Sequence, residues 1–499
     1  MENNSIWQIN SKSKGNKEII TDSDILIIGG GITGLSAAYF LKGSKYTVTV
    51  IDKSIIGNGI TSKSTAKITY LQNTIYQTLE KSFNRTVSNQ YLKSQLDAIN
   101  LLTGIIEKEN IKCDLKETKA IIFTKEEKGI NKIDKEKNIL EANGISCKVI
   151  DKLPIHFPIK YGIEVDGNYT FHPVKYLFEL KKVINKKVNI YENTMALEIK
   201  KDNDIYIVKT NKNEFRAKYI IVSCHYPFFI FPGIIPLKTY IQREYVNASK
   251  YKNYNFMANS IDSNLHSIRF YKNYIIYGSN KHRLTNKIAY KNNYIQSVIG
   301  FKRLFSKNPE YTWMNQDIMS NDNLPFIGKA NKDDDNLLIA TTYNTWGMTN
   351  GTMAGKILSD IILNNKNSYI SLFDPTRVNK TGIFNSIIDA INYSKVYIQT
   401  TVKKNPVFYN NYVYKIKVNG NYYGVYYDYY GKKHVVKGKC PHMKCNLVFN
   451  DEEKTWDCPC HGSRFDIDGN VIEGPANYNI STDFDNTEEK LKFKGKCNF

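Results

Sequence analysis

Between Cys440 and Ser463 the chain reads CPHMKCNLVFNDEEKTWDCPCHGS. Cys440-x-His442 is followed, after fifteen intervening residues, by Cys458-x-x-His461, so two short loops each offer one thiolate and one imidazole. This pattern constrains the fold more than any apolar run, because both loops must converge on one point. Two metal groups suit the chemistry: a zinc ion held by two Cys and two His, or a [2Fe–2S] cluster with two thiolates on one iron and two imidazoles on the other. Zinc fingers present a Cys pair and then a His pair, whereas here each loop carries one of each, with a spare cysteine, Cys445 or Cys460, beside it. The order of the ligands favours iron.

The two boxes, C-x-H-x-x-C and C-P-C-H-G-S, resemble the Rieske signature. The resemblance implies that Cys440 and Cys458 bind one iron, that His442 and His461 bind the other, and that Cys445 pairs with Cys460 in a disulfide. It extends over residues 406–499, a small all-β domain. Alternating residues in Val413–Val418 and Tyr422–Tyr429 flank Asn419-Gly420, a strong hairpin signal. Gly474-Pro475-Ala476 is similar to the proline loop that covers a Rieske cluster. Two imidazoles in place of thiolates raise the potential above that of all-Cys clusters. Ser463 is present where high-potential members use serine, but Phe465 stands where they carry tyrosine, so a potential of roughly −150 to +100 mV is expected.

Near the other end, Asp24–Ile28 runs into Gly29-Gly30-Gly31-Ile32-Thr33-Gly34, then an apolar helical pattern, then a strand from Tyr46 to Ile51 ending at Asp52. Strand, glycine turn, helix, strand and acid in this order bind a dinucleotide: Gly29 makes the turn, Gly31 admits the pyrophosphate and Gly34 packs helix against strand. The helix N-terminus faces the phosphates with its positive end. Asp52, eighteen residues past Gly34, accepts from a ribose, with Lys53 beside it.

FAD rather than NAD follows from a second segment, Gly57-Asn58-Gly59-Ile60-Thr61-Ser62-Lys63-Ser64-Thr65-Ala66-Lys67. It resembles the flavin-contacting stretch of the D-amino-acid-oxidase-like (DAO) flavoproteins, although a Ser/Thr-rich surface loop would read similarly. Leu324-Pro325-Phe326-Ile327-Gly328, the strand 336–341, Thr345-Trp346-Gly347-Met348-Thr349-Asn350-Gly351 and an apolar helix after it are also similar to that family. The resemblance implies that Thr61, Ser62, Gly347, Met348 and Thr349 join the glycines and Asp52 around FAD. By the same analogy Lys67 lies beside the isoalloxazine, unless it is a solvated lysine.

The expected fold class is therefore an α/β (α+β) FAD-binding Rossmann-type domain with an inserted mixed-sheet substrate domain, plus a small all-β Rieske domain. Residues 1–20 read as a polar leader, 21–375 as the discontinuous flavoprotein, 376–405 as a connector with a helix-like stretch at 383–396, and 406–499 as the Rieske domain. One helical stretch is expected over 72–108, a helix opening at His172-Pro173, and a buried strand at Tyr219–Ser223. Tyr240–Tyr277 alternates as the sheet wall of a substrate pocket. Its candidates are Arg243, Tyr245, Arg269 and, just beyond it, His282, with Arg269 as carboxylate binder because guanidinium pairs bidentately; a structural arginine is the other reading. Cys224 beside His225 reads as packing rather than as a nucleophile pair, since neighbours on a strand point to opposite faces.

A formal charge of +21 permits an acidic partner. The lysines are scattered among Asn, Ile and Tyr with no Arg-rich run, which argues against nucleic acid. The leader lacks the apolar core of a signal peptide, and the uncharged run Tyr219–Leu237 is broken by Pro227, Pro232 and Pro236. A cytoplasmic protein without a membrane span is expected. A Rieske oxygenase would need two His and a carboxylate at a mononuclear iron, and none of the six other histidines has helical ligand spacing. The arrangement resembles bacterial proteins in which a DAO-like flavin domain precedes a Rieske domain. That implies oxidation of a small amine or amino acid at FAD, with the cluster passing electrons singly to an external carrier. The alternatives are an oxygen-using oxidase with a structural cluster and a non-enzymatic redox sensor; no catalytic base is identifiable.

Overall fold

In the computed structural model of the chain the described residues are 5–9, 19–228, 235–284, 290–402 and 412–482. Pro232, the first residues of the expected Rieske domain (406–411) and Cys497 lie outside them. The chain divides into two compact units, Met1–Ser394 and Lys395–Phe499.

The first unit carries two sheets. In the eight-stranded one, Asp22–Ile28 pairs in parallel with Val48–Ile51 on one side and with Glu214–Val222 on the other, and Leu337–Thr341 follows in parallel. These strands are near-continuous Ile, Leu and Val because helices cover the sheet; Leu26, Ile27 and Ile221 are fully buried. The expected strand at Tyr219–Ser223 is the end of this central Glu214–Val222 strand. Helices Ile32–Leu41 and Gly347–Leu363 cross closely, since a Cβ on Gly355 would lie 2.5 Å from that of Ser36. Each follows a strand that runs parallel to Glu214–Val222, so both start at the same end of the sheet.

The nine-stranded sheet runs through Tyr311–Ser320, Thr239–Lys250, Tyr274–Arg283, Ser267–Tyr271, Phe256–Ser260, Lys116–Thr124 and Tyr161–Thr170. It contains the alternating 240–277 region. The stretch 72–108, expected to be helical, holds two helices, Ile75–Ser82 and Arg85–Lys108. Asn84 interrupts them: its side chain accepts from Val87 N at 3.0 Å and caps the second helix. His172 caps Pro173–Ile184 in the same way. The polar leader is not wholly solvated, because Trp7 is fully buried between His172 and Tyr271. A helix, Lys380–Val402, fills most of the connector.

In the second unit Val413–Val418 and Asn421–Tyr427 form the hairpin, with Asn419 and Gly420 both at positive φ (48° and 81°), the turn that matches strand twist. Lys433–Lys437 completes a three-stranded sheet, and a four-stranded sheet runs from Val448–Asn450 to Val471–Glu473. No helix among the described residues is long and apolar enough to cross a membrane.

Candidate functional site

The Asp22–Ile28 strand ends at Gly29, whose φ of +109° suits glycine alone and whose N–H donates to Ile51 O at 2.8 Å. A Cβ on Gly34 would lie 1.9 Å from Gly29 O, so the helix can start this near the turn only without one. Asp52 accepts from Gly30 N at 2.7 Å and Ser54 N at 2.8 Å, which fixes its carboxylate against the turn, while burial pushes that carboxyl up. Lys53 is exposed beside it.

A cleft of about 730 Å³, counting the solvent in its mouth, opens where the two helices begin; Gly31, Thr33, Thr61, Lys67, Gly347 and Met348 are on its wall. Two helix N-termini thus point their positive ends at one space. Gly29 and Gly34 act behind the wall through the shape of the turn. The Ser62 and Thr349 side chains also face away: Ser62 Oγ donates to Gly59 O at 2.8 Å and Thr349 Oγ1 accepts from Gln72 at 3.3 Å.

The flavin-type segment is held by its carbonyls. Ser62 O accepts from Ser5 Oγ (2.5 Å), Lys63 O from Trp313 Nε1 (2.8 Å), Ser64 O from Trp7 Nε1 (2.8 Å), and Thr65 and Ala66 O from Arg269 Nη1 (2.5 and 2.8 Å). Ser5, Trp7 and Trp313 are absent from the sequence reading; a tryptophan alone in a polar leader was the available signal.

Arg269 also donates to Phe171 O at 2.7 Å and lies 4.8 Å from the Trp7 ring, 1% exposed. Of the two readings of Arg269, the carboxylate binder is therefore overturned and the structural arginine stands: its fork is engaged by backbone carbonyls. Arg243 is fully buried with Nε on Gln316, and Tyr245 stacks on His282 at 5.9 Å. None of these four lines the cleft or the chamber beside it. The pleat is the reason for Arg243 and Tyr245, since side chains alternate across a sheet and the residue between them, Glu244, faces the open side.

Lys67 is buried, which excludes the solvated reading. Its Nζ donates to Ala258 O (3.0 Å), Asn259 Oδ1 (2.8 Å) and Ser267 Oγ (2.9 Å), and burial pushes it down to about 7. It stands between the cleft and a second chamber of about 490 Å³ whose wall includes Asn73, Glu244, Asn259, Ser260 and Lys281. Cys224 and His225 follow the strand end at Val222; Cys224 packs on the sheet core with its thiol pushed up to about 12, and His225 lines the cleft with Nε2 3.0 Å from Gln316 O.

In the second unit Cys440 and Cys458 are buried free thiols in hydrogen-bond contact with each other. The His442 and His461 rings lie 5.1 Å apart. Both His442 nitrogens are shut off from solvent and have no hydrogen-bond partner among the described residues. Burial pushes His442 down to about 4 and His461 to about 3, so both imidazoles are neutral, the form that ligates metal. Cys445 and Cys460 form a disulfide of 2.06 Å. Their sulfurs and that of Cys458 fall within 4.8 Å of one another, but the disulfide removes two of the three as ligands and leaves two thiols with two imidazoles. That donor set fits a Rieske cluster, and orphaned buried nitrogens on His442 need such a partner. Ala476 N donates to Ser463 Oγ at 3.0 Å, tying the proline loop to the second ligand loop. Arg464, 3% exposed, anchors that loop to Glu453, Asp457 and Glu473 at 2.9, 3.4 and 3.3 Å.

The profile of the FAD dependent oxidoreductase family, DAO, matches residues 24–361, and that of the Rieske [2Fe-2S] domain matches residues 399–483. The chain is 32% identical over 474 residues to the YhfW chain of Bacillus subtilis (strain 168), described as a Rieske 2Fe-2S iron-sulfur protein, covering 91% of this chain and 92% of that one. Glycine oxidase from Geobacillus kaustophilus shares the fold with a TM-score of 0.61 at 13% identity, over 72% of this chain and all (100%) of its own. L-amino acid deaminase from Proteus vulgaris does so with a TM-score of 0.59 at 12% identity, over 74% and 100%. The expected fold class stands, and with both cofactor sites built as they are, the chain belongs to the DAO family of FAD-dependent oxidoreductases and carries a Rieske [2Fe–2S] domain behind it.

Proposed function

We propose that the protein oxidises a small amine or amino-acid-like substrate at FAD and passes the electrons singly through its Rieske cluster to an external one-electron carrier. The observation that carries this reading is the presence on one chain of a flavin cleft and a two-thiol, two-imidazole cage. Bound FAD supplies a two-electron acceptor and the bound [2Fe–2S] cluster a one-electron relay.

In this reading Gly29, Gly31 and Gly34 shape the pyrophosphate turn, Asp52 takes the ribose with Lys53 beside it, and Thr61, Ser62, Gly347, Met348 and Thr349 surround the flavin. Ser62 and Thr349 act through their backbone, because their side chains are engaged elsewhere. Cys440, His442, Cys458 and His461 hold the cluster, and the Cys445–Cys460 disulfide joins their loops. Lys67 holds a proton at the cleft wall below about pH 7. The polar second chamber and the amine-oxidising names of the structural relatives support the substrate class.

Anaerobic titration of the full-length protein with amines and amino acids, following flavin bleaching and the cluster's paramagnetic signal together, tests the reading. Bleaching followed by cluster reduction is expected. Bleaching with a silent cluster would refute the electron route, and no bleaching by any amine would refute the substrate class.

A further inference from the structure

The second chamber holds two charged groups without direct partners. The strand pairing explains how they meet. Arg243 of Thr239–Lys250 faces His282, and Tyr245 faces Ser279, so Glu244 alone is opposed by both Asn280 and Lys281. This is a β-bulge, the irregularity that re-aims side chains beside binding sites, and Asn280 takes its strained positive φ of 55°. One residue further along, a Cβ on Gly278 would lie 2.3 Å from Glu244 Oε1, so the absent side chain makes room for the carboxylate.

Both Glu244 and Lys281 line the chamber. Among the described residues neither side chain makes a hydrogen bond or an ion pair, although Glu244 lies within the field of Lys281 and of Lys67. A carboxylate and an ammonium held near but apart in a recess are costly unless something bridges them. Much of the rest of the wall is polar, with Asn73, Asn259, Ser260 and Ser267 beside Leu265 and Trp346, which suits a polar ligand end there. Lys67, Asn315 and Trp346 belong to the wall of both spaces, so one ligand can reach from the chamber into the flavin cleft.

We infer that this chamber is a subsite for the zwitterionic end of the substrate, with Glu244 taking its ammonium and Lys281 its carboxylate, so that the far amine lies at the flavin. This rests on the amine-oxidising reading above and narrows it to diamino monocarboxylic acids. Glu244 and Lys281 are specificity residues for that class, and the arginines of the sheet are not.

The test uses the full-length, cofactor-loaded protein and four probes: L-lysine, L-ornithine, 1,5-diaminopentane, which lacks the carboxylate, and 6-aminohexanoate, which lacks the α-ammonium. Dissociation constants come from the change in the oxidised flavin spectrum, and reduction is followed separately without oxygen. At least one diamino acid should bind about tenfold or more tighter than either truncated probe, about 1.4 kcal/mol. Glu244→Gln should abolish the advantage over 6-aminohexanoate and keep that over diaminopentane; Lys281→Met should do the converse. Each variant is its own folding control, because one of the two comparisons must survive. Equal constants for all probes, loss of both comparisons in either variant, or no binding at all would overturn the inference. Binding with the expected charge pattern but no flavin reduction by any amine would instead defeat the amine-oxidising reading and leave the chamber standing as a binding site for the zwitterion.

Discussion

Arg269→Met separates an arginine that builds the flavin segment from one that binds substrate. The side chain donates to the carbonyls of Thr65, Ala66 and Phe171 and lies over Trp7. Each bond from a charged donor contributes about 1.5–3 kcal/mol, and a desolvated cation–π contact about 2 kcal/mol. Against this stands the cost of burying the guanidinium, which pushes it down from the usual arginine range to about 9 and amounts to about 5 kcal/mol. Methionine recovers that cost but leaves three carbonyls without a donor, so the bonds win and a net loss of about 3 kcal/mol is expected. Two of the three carbonyls belong to the flavin segment, so FAD content should fall with stability. Urea unfolding of the full-length protein, followed by tryptophan fluorescence and by FAD release, measures both. An unchanged urea midpoint with full FAD content and a raised KM for anionic substrates alone would refute the reasoning and restore Arg269 as a carboxylate binder.

Lys67 sits near neutrality because burial outweighs Glu244, with Arg269 and Lys281 adding like charge, so its ammonium is present below about pH 7 and lost as pH rises through that value. Carboxylate-bearing ligands should bind more tightly below pH 7 than above it, and Lys67→Met should flatten that profile in a spectral titration. Phe465, fully buried on the strand Arg464–Phe465, offers no hydroxyl toward the cluster. Phe465→Tyr should raise the midpoint potential by about 60 mV if the new bond favours the reduced cluster by about 1.4 kcal/mol, and a redox titration reads the shift. Cys445→Ser opens a loop of 15 residues and should cost about 3 kcal/mol, visible as faster bleaching of the cluster's visible absorption on warming. Gly34→Ala places a Cβ 1.9 Å from Gly29 O and should yield protein purified without FAD while its cluster signal stays intact.

Both cofactors are legible in the sequence because each candidate site depends on residue types at fixed spacing. Gly29, Gly34 and the Cys/His boxes do what no other residue does at those positions, so the chemistry shows through the string. What was not legible depended on packing between distant segments. Trp7, Trp313 and Arg269 bond consecutive carbonyls of one loop from separate parts of the chain, and a carbonyl leaves no trace in sequence. In the sheet wall the chamber is lined from the opposite face of the strand to the one that Arg243 and Tyr245 occupy. Arg243 and Tyr245 are large polar residues, but the alternation of the Thr239–Lys250 strand buries them and turns Glu244 to the open side. The bulge opposite Glu244 could not be placed without the register of Tyr274–Arg283.

The charged groups inside the protein sort by whether they are answered. Arg269 meets three carbonyls and Arg464 three carboxylates; both are at most 3% exposed, and both fasten a cofactor loop to its surroundings. An answered charge of this kind fixes structure and has little capacity left for a ligand. Lys67 is answered in full by three acceptors, so it contributes a local positive potential more than a binding hand. Glu244 and Lys281 differ in kind: they share one recess, oppose each other across a bulge, and make no direct bond among the described residues. Replacing both with neutral residues should then cost little stability, or raise it, since no side-chain hydrogen bond is lost and the desolvation penalty on Glu244 is relieved. Replacing Arg269 or Arg464 should cost several kcal/mol, because Arg269 leaves three backbone carbonyls without its guanidinium and Arg464 leaves three clustered carboxylates without their cation. A Glu244→Gln/Lys281→Met double variant that unfolds more easily than the parent would show that the pair holds the sheet together, and would take the charge argument for the chamber with it.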